Sequence, residues 1–296
     1  MDNKNPPSRL KTQLRRALLT SVSAIALLAA VPQQAQALTL LLNFTNAPVT
    51  ENAGVGTSTI DVADFSTWGF TGMTLPTIMS SVLASVNQAY LMYPTVGANA
   101  LSPLANGKEL NINFETVTSG SALPSNGDAN YFYFGVGNTT NPADDELGHA
   151  CYGCVRDLTM LASAPNGSMV GVNFTNNLQG LTGLATTDAE RINILAGTIA
   201  HEFGHALMLD HPGAPGGNAN PGASIYSIMG TGADPVNMPD EERLMTRSFS
   251  YAEFDTLIQT VGVRDVSPVP EPATYAMLLL GLGVVAAARK RKAAQV

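Results

Sequence analysis

Two cysteines, one tryptophan and four histidines are all that 296 residues contain of these types, and only 13% of the chain is charged. So few cysteines exclude a disulfide-stapled miniprotein and any four-cysteine zinc cage. Basic residues are scarce in the middle. Of 15 lysines and arginines, five lie within residues 1–16 and four within 289–292, which leaves six across residues 38–272: Lys108, Arg156, Arg191, Arg243, Arg247 and Arg264. The same stretch holds 22 acidic residues, a net charge of −16. A body that acidic cannot draw affinity from neutralising phosphates, so no nucleic acid is expected as a partner. No internal repeat of solenoid or propeller period is visible. With 45% hydrophobic residues, 27 Gly and 18 Pro, the composition also excludes a disordered tail and a collagen-like repeat. The length suits one large domain or two small ones.

The basic ends read as addresses. Lys4, Arg9, Lys11, Arg15 and Arg16 precede an apolar run from Ala17 to Ala30, and Ala35-Gln36-Ala37 follows as a small-x-small cleavage site. This order predicts a secretory signal peptide over residues 1–37. An uncleaved anchor is the alternative, but the run is shorter than the ~20 residues that span a bilayer comfortably. At the other end, Val269-Pro270-Glu271-Pro272 is followed by an apolar stretch from Ala273 to Ala288 and by Arg289-Lys290-Arg291-Lys292. The stretch is short for a span but workable as a transmembrane helix with snorkelling basic flanks, and the positive cluster should stay cytoplasmic. A plain tail anchor is one reading. The three parts in this order resemble the PEP-CTERM sorting signal of Gram-negative bacteria, here over residues 268–296. That resemblance implies export across the inner membrane, transient membrane insertion, and removal of the tail by an exosortase. It also implies a final location at the cell surface or outside the cell.

Between the ends, residues 38–267 read as one α+β domain. Strands are expected at Leu38–Phe44, Leu110–Thr116, Tyr131–Val136 and Met169–Phe174, and a helix from Pro76 to Tyr90. Phe132 and Phe134 should pack inward and the intervening tyrosines outward. Thr187-Asp188-Ala189-Glu190 is a capping box that opens a long helix, and residues 240–262 carry a last helix with Phe254, Leu257, Ile258 and Val261 as its apolar stripe. Cys151 and Cys154, after export, should form a local disulfide that pins one loop and adds little entropy; a thioredoxin-like redox pair lacks the βαβ context it needs. Asp144-Asp145-Glu146 offers hard oxygen ligands of the kind Ca2+ takes, and a solvated acidic turn is the simpler reading.

The chemistry concentrates in His201-Glu202-Phe203-Gly204-His205-Ala206-Leu207-Met208-Leu209-Asp210-His211, which contains three of the four histidines. A spacing of four puts His201 and His205 one helical turn apart on one face, where two imidazoles can address one Zn2+ ion. Glu202 lies a step round the helix and can reach a water at the ion without binding the ion itself. On a continuous helix His211 would be rotated away, so the chain must turn after about Leu207 for it to join. Three imidazoles leave a fourth position open, the pattern of one catalytic zinc rather than a structural one. Three histidines satisfied by backbone and water are the bland alternative.

These residues resemble the metzincin zinc peptidases, the matrixin branch most of all. The resemblance extends to Ser227-Ile228-Met229-Gly230, similar to the Met-turn, whose methionine lies beneath the metal without binding it. Leu91-Met92-Tyr93-Pro94 has a similar look but precedes the zinc helix and is set aside. The family implies a twisted mixed sheet, long helices including the zinc-binding one, and a small C-terminal subdomain with the Met-turn and a helix. It implies an endopeptidase acting on protein or peptide substrates aligned along an edge strand, with Glu202 as general base for the attacking water. Three departures stand out. Met208 replaces the usual Gly at the end of the helix, so either the turn differs or a left-handed residue with a side chain is tolerated. Leu147-Gly148-His149-Ala150 resembles the loop that serves a second, structural zinc, but no further histidines complete such a site, so His149 is expected to be a surface or loop residue. Thr231 stands where some relatives carry a tyrosine, and the role of Tyr226 is open. The only cysteines follow residue 150, so no cysteine-switch pro-segment is expected. The competing reading is a non-catalytic cell-surface or biofilm-matrix protein that keeps the shell of this fold.

Overall fold

The computed structural model describes residues 37–45, 60–91, 93–95, 100–102, 108–117, 130–140, 146–155, 167–213, 225–232 and 237–265. The expected signal peptide, the Asp144-Asp145 pair and the C-terminal sorting segment lie outside these residues. Among the described residues, no helix is long and apolar enough to cross a membrane.

Strand β1 (Leu38–Asn43) is followed by β2 (Ile60–Val62), helix α1 (Leu75–Leu91), the hairpin β3 (Tyr93–Thr95) and β4 (Ala100–Ser102), then β5 (Lys108–Leu110), β6 (Ile112–Val117), β7 (Tyr131–Thr139), β8 (Gly148–Ala150) and β9 (Met169–Phe174). A short helix α2 (Thr175–Leu178), the long α3 (Asp188–Ala206), α4 (Tyr251–Val261) and β10 (Val263–Asp265) complete the order. The main sheet runs β6-β1-β7-β9-β8, with β2 also on β7. β6, β1, β7 and β9 are parallel, while β2 and β8 pair antiparallel. The domain is therefore α+β with a mixed sheet.

Every residue of β1 is buried, as a central strand covered on both faces requires. Leu38, Leu40 and Leu42 join the main core with α1 and α3, whereas Leu41 turns to a smaller cluster with Val117 and Tyr133. This corrects one expectation. Phe132 and Phe134 do face the main core, but Tyr133 is also buried, because the other side of β7 is filled by Leu41 and Val117. A second correction concerns residues 108–117. The alternating run is two strands broken at Asn111, where the chain changes partners: β5 pairs with β10, β6 with β1, and Asn111 bonds the carbonyl of Gly262 through its N–H at 3.1 Å. The last helix is also shorter than expected, because Ser250 caps it in a capping box with Glu253 and only a 3-10 turn occupies Asp240–Leu244.

Helix α3 starts where the sequence says. Thr187 accepts from the Glu190 N–H and the Glu190 carboxylate accepts in return. Its far half is held by an aromatic group. Tyr90 on α1 donates its hydroxyl to the Ala200 carbonyl at 2.7 Å, and its ring lies 5.6 Å from Phe203 and 4.8 Å from Phe249. The turn of α3 before His201 is thus fixed by packing and by a buried hydrogen bond, which limits the freedom of everything that follows.

Candidate metal centre

His201 and His205 project from the last two turns of α3, and His211 returns to them from the segment beyond it. The Nε2 atom of His211 lies 3.2 Å from that of His201 and 3.0 Å from that of His205. The outward nitrogens of the first two rings are engaged. His201 Nδ1–H donates to the Ile228 carbonyl at 2.9 Å and His205 Nδ1–H to the Leu209 carbonyl at 2.8 Å. A carbonyl can only accept, so these bonds fix the tautomer and leave both Nε2 lone pairs bare. His211 can give a proton to one of them but not to both. Bare lone pairs this close repel, and a cation between them removes the conflict. Zn–N bonds of ~2.0–2.1 Å at tetrahedral angles would separate the ligand nitrogens by about 3.3 Å, close to the two separations measured from His211. These three residues are also a group of potential ligands whose atoms all lie within 4.8 Å of one another.

The turn that brings His211 back is a Schellman motif with methionine in the left-handed position. Leu207 ends the helix, Met208 has φ 73°, the Leu209 N–H bonds the Gly204 carbonyl at 2.9 Å, and the Met208 N–H bonds the His205 carbonyl at 3.0 Å. The backbone shape that usually calls for Gly is therefore adopted with a side chain, and the rings converge rather than splay. A neighbouring loop supports this end. The Gly153 N–H reaches the His205 carbonyl at 2.9 Å, the Val155 N–H reaches the Ala206 carbonyl at 3.0 Å, and the Tyr152 hydroxyl reaches the Met208 carbonyl at 3.2 Å. Cys151 and Cys154 are disulfide-bonded across that loop, with Cα atoms 5.6 Å apart.

Beneath the rings, Ser227–Gly230 is buried. Met229 is fully enclosed, and its sulfur lies so close to Gly204 that a Cβ there would meet it at 2.6 Å. Two residues that the sequence reading passed over hold this segment. Arg247, buried, donates through one guanidinium nitrogen to the carbonyls of Ser227, Ile228 and Gly230 at 3.3–3.4 Å. Glu253, also buried, accepts from Ser227 Oγ at 2.9 Å and from the Ser250 N–H at 2.7 Å. The Ile228 carbonyl is thus shared between Arg247 and His201. A signal was present: two of the six cations of the acidic body stand four residues apart just after the Met-turn-like segment, and Ser250-Tyr251-Ala252-Glu253 is itself a capping box.

Glu202 is buried on the adjacent face and lies against β8. Gly148 makes room for it, since a Cβ there would sit 3.1 Å from Glu202 Cγ and 2.6 Å from the Val172 carbonyl. Burial pushes the Glu202 carboxyl up to about 8, the Glu146 carboxylate adds to the shift, and Arg243 opposes it. A cation nearby would reverse the trend by favouring the charged form. Burial also drives His201 well below the ordinary imidazole range, with the neighbouring His205 adding to this, and it lowers His205 as well. Both rings are therefore neutral at pH 7, as metal ligands must be. A cleft of about 360 Å³ joins the three histidines and Glu202 to Glu146, Gly148, His149, Thr231 and Arg243. His149 was expected on the surface or in a loop. It is instead a half-buried member of edge strand β8, with Nδ1 2.7 Å from Glu146 Oε1 and its ring against Phe174 at 5.5 Å. Tyr226 is half-buried at the start of the Ser227–Gly230 segment and does not line the cleft.

The chain carries an export address. Residues 268–292 match the PEP-CTERM protein-sorting motif, a signal that marks exported proteins for exosortase-type processing. Among solved structures, archaemetzincin from Methanopyrus kandleri is similar at 14% identity over 77% of this chain and 97% of that one, with a TM-score of 0.34. That likeness is too slight to carry an argument about mechanism. No curated protein matches the chain.

Proposed function

We propose that the chain is an exported zinc-dependent endopeptidase, with His201, His205 and His211 as ligands of one catalytic Zn2+ and Glu202 as general base. The observation that carries this reading is that His211 Nε2 lies 3.2 Å from His201 Nε2 and 3.0 Å from His205 Nε2, with all three ligand atoms within 4.8 Å of one another, while two of the Nδ1 atoms are committed to backbone carbonyls. Side chains held this way suit a bound cation. The buried Glu202, the enclosed Met229 below and the open cleft above support a catalytic rather than a structural ion. The resemblance to metzincins read from the sequence points the same way, and the sorting motif agrees with an enzyme that works outside the cytoplasm.

A zinc ion held by His201, His205 and His211 would supply Lewis acidity toward the substrate carbonyl and toward water near pH 7. The residues of the chain do the rest. Ile228 and Leu209 orient the two helical imidazoles through their carbonyls. Glu202, buried in the wall of the cleft, takes a proton from the attacking water and returns it to the leaving amine. Edge strand β8 borders the cleft with Gly148 and His149 and offers main-chain groups against which an extended peptide can pair.

The test is metal content and chelator-sensitive proteolysis of the full chain. The expected result is one zinc per chain, with Glu202→Gln retaining zinc while losing about 10²–10⁴-fold in rate. A protein that binds no transition metal under any loading condition would refute the reading. One that binds zinc and cleaves no peptide would favour a non-catalytic surface protein with the same shell.

A further inference from the structure

Arg243 is the cation in the wall of the cleft; it feels the Asp240 and Glu202 carboxylates, but forms no close ion pair with Glu202 among the described residues. Its side chain is 12% exposed, and its nearest carboxylate is Asp240, at 3.7 Å from Nε and itself 58% exposed. The buried Nε atom has no hydrogen-bond acceptor among the described residues. The other described cations of the body are occupied. Lys108 pairs with Asp265, Arg264 with Glu109, and Arg191 with Asp188 and the Trp68 carbonyl. Arg247 is spent on the carbonyls of residues 227–230. Glu146, the carboxylate at the rim, is taken by His149. In an acidic body a mostly buried guanidinium whose Nε lacks an acceptor, beside the proposed catalytic residues, is costly unless an anion meets it closely.

We propose that Arg243 selects substrates by binding a carboxylate close to the bond that is cut. The inference rests on the peptidase reading and narrows its substrate class to peptides that place a carboxylate in this cleft. The planar guanidinium suits that group because it can donate two parallel hydrogen bonds to it. The carboxylate can belong to an Asp or Glu side chain or to the C-terminus of the peptide. Both share one chemistry, and the experiment separates them.

The zinc-loaded full chain is assayed on matched peptides, one set with Asp exchanged for Asn at each position around the cleavage site, the other with a free or an amidated C-terminus. The expected result is a preference of about tenfold or more in kcat/KM for the carboxylate in one set, since hydrogen bonds to charged groups are the stronger ones. Arg243→Gln should collapse the ratio toward one, and Arg243→Lys should keep part of it. The set that responds identifies the source of the carboxylate. The ratio is the readout that a merely structural role would leave alone, because a damaged fold slows both members of a pair together. Chelator-sensitive cleavage of both members at equal rates, or a preference that survives Arg243→Gln, overturns the inference and leaves the peptidase reading intact. Chelator-sensitive cleavage of neither overturns both.

Discussion

Gly204 sits between the two helical histidines, and replacing it by alanine sets two effects of known size against each other. A helix interior gains about 1 kcal/mol when Gly becomes Ala. Here the added methyl would lie 2.6 Å from Met229 Sδ and 3.3 Å from both Met229 Cε and Leu209 Cδ1. Ordinary contacts between such atoms are about 3.5–4.0 Å, so the sulfur must retreat by roughly 1 Å. Met229 is completely enclosed, which leaves little space for that movement. Overpacking of this kind costs about 1–3 kcal/mol, so the net expectation for Gly204→Ala is a loss of about 1 kcal/mol, or ~2–4 °C in Tm for a domain of this size. A second consequence follows from connectivity. Ile228, next to Met229, orients His201 through its carbonyl at 2.9 Å. Displacing Met229 should therefore tilt that ring and weaken zinc binding about tenfold, at the lower end of what outer-shell changes cost. Thermal unfolding of the chelated protein and competition with a chromophoric chelator measure the two effects separately. Combining Gly204→Ala with Met229→Ala should cost less than the sum of the single changes, because one fills the space the other empties. A Tm that rises with zinc affinity unchanged would mean that helix propensity alone decides, and the packing argument would be wrong.

Three further outcomes are expected. Zinc at about a thousandfold above its Kd should stabilise the native chain by about 4 kcal/mol, a shift on the order of 10 °C that a chelator reverses; His211→Ala should abolish that shift, and a shift unaltered in the variant would remove His211 from the ligand set. Arg247→Met removes the buried guanidinium nitrogen that serves the Ser227, Ile228 and Gly230 carbonyls; about tenfold weaker zinc binding is expected, and wild-type affinity would show that Ile228 is held without it. Burial holds the Glu253 carboxyl above its ordinary value. The folded chain then retains a proton that the unfolded chain releases, so this group favours the fold most in acid and its contribution falls as pH rises from about 4.5 to the folded value. Glu253→Gln should flatten that part of the decline, and urea melts between pH 4 and 8 that superimpose on wild type would contradict the assignment.

The elements that local chemistry dictates were legible in the chain. The Thr187–Glu190 capping box starts α3 where it was read, and the alternating and branched residues of β1, β7 and β9 form strands. Tertiary context supplied what the pattern could not. Asn111 interrupts a run that alternates cleanly, because Leu110 pairs with the strand of Val263 while Ile112 pairs with Leu38. Tyr133 was expected outside on grounds of alternation, which cannot tell a half-covered strand from one buried on both faces. The histidine spacing said which rings can meet, but the Ile228 and Leu209 carbonyls that orient two of them are backbone atoms and carry no residue signature. Arg243 and Arg247 left a trace only as rare cations in an acidic body. The spacing of His205 and His211 called for a turn after about Leu207 but left open whether Met208 would take the left-handed conformation there, and its φ of 73° answers that.

That methionine has a mechanical consequence. A helix that stops on glycine owns its ending; this one borrows part of it. His205, Ala206 and Met208 pass their carbonyls to Gly153, Val155 and Tyr152, so the last turn and the cysteine-bridged hoop loosen or hold as a unit. A thiol reductant acting on the hoop would reach the metal site through its frame, without touching an imidazole.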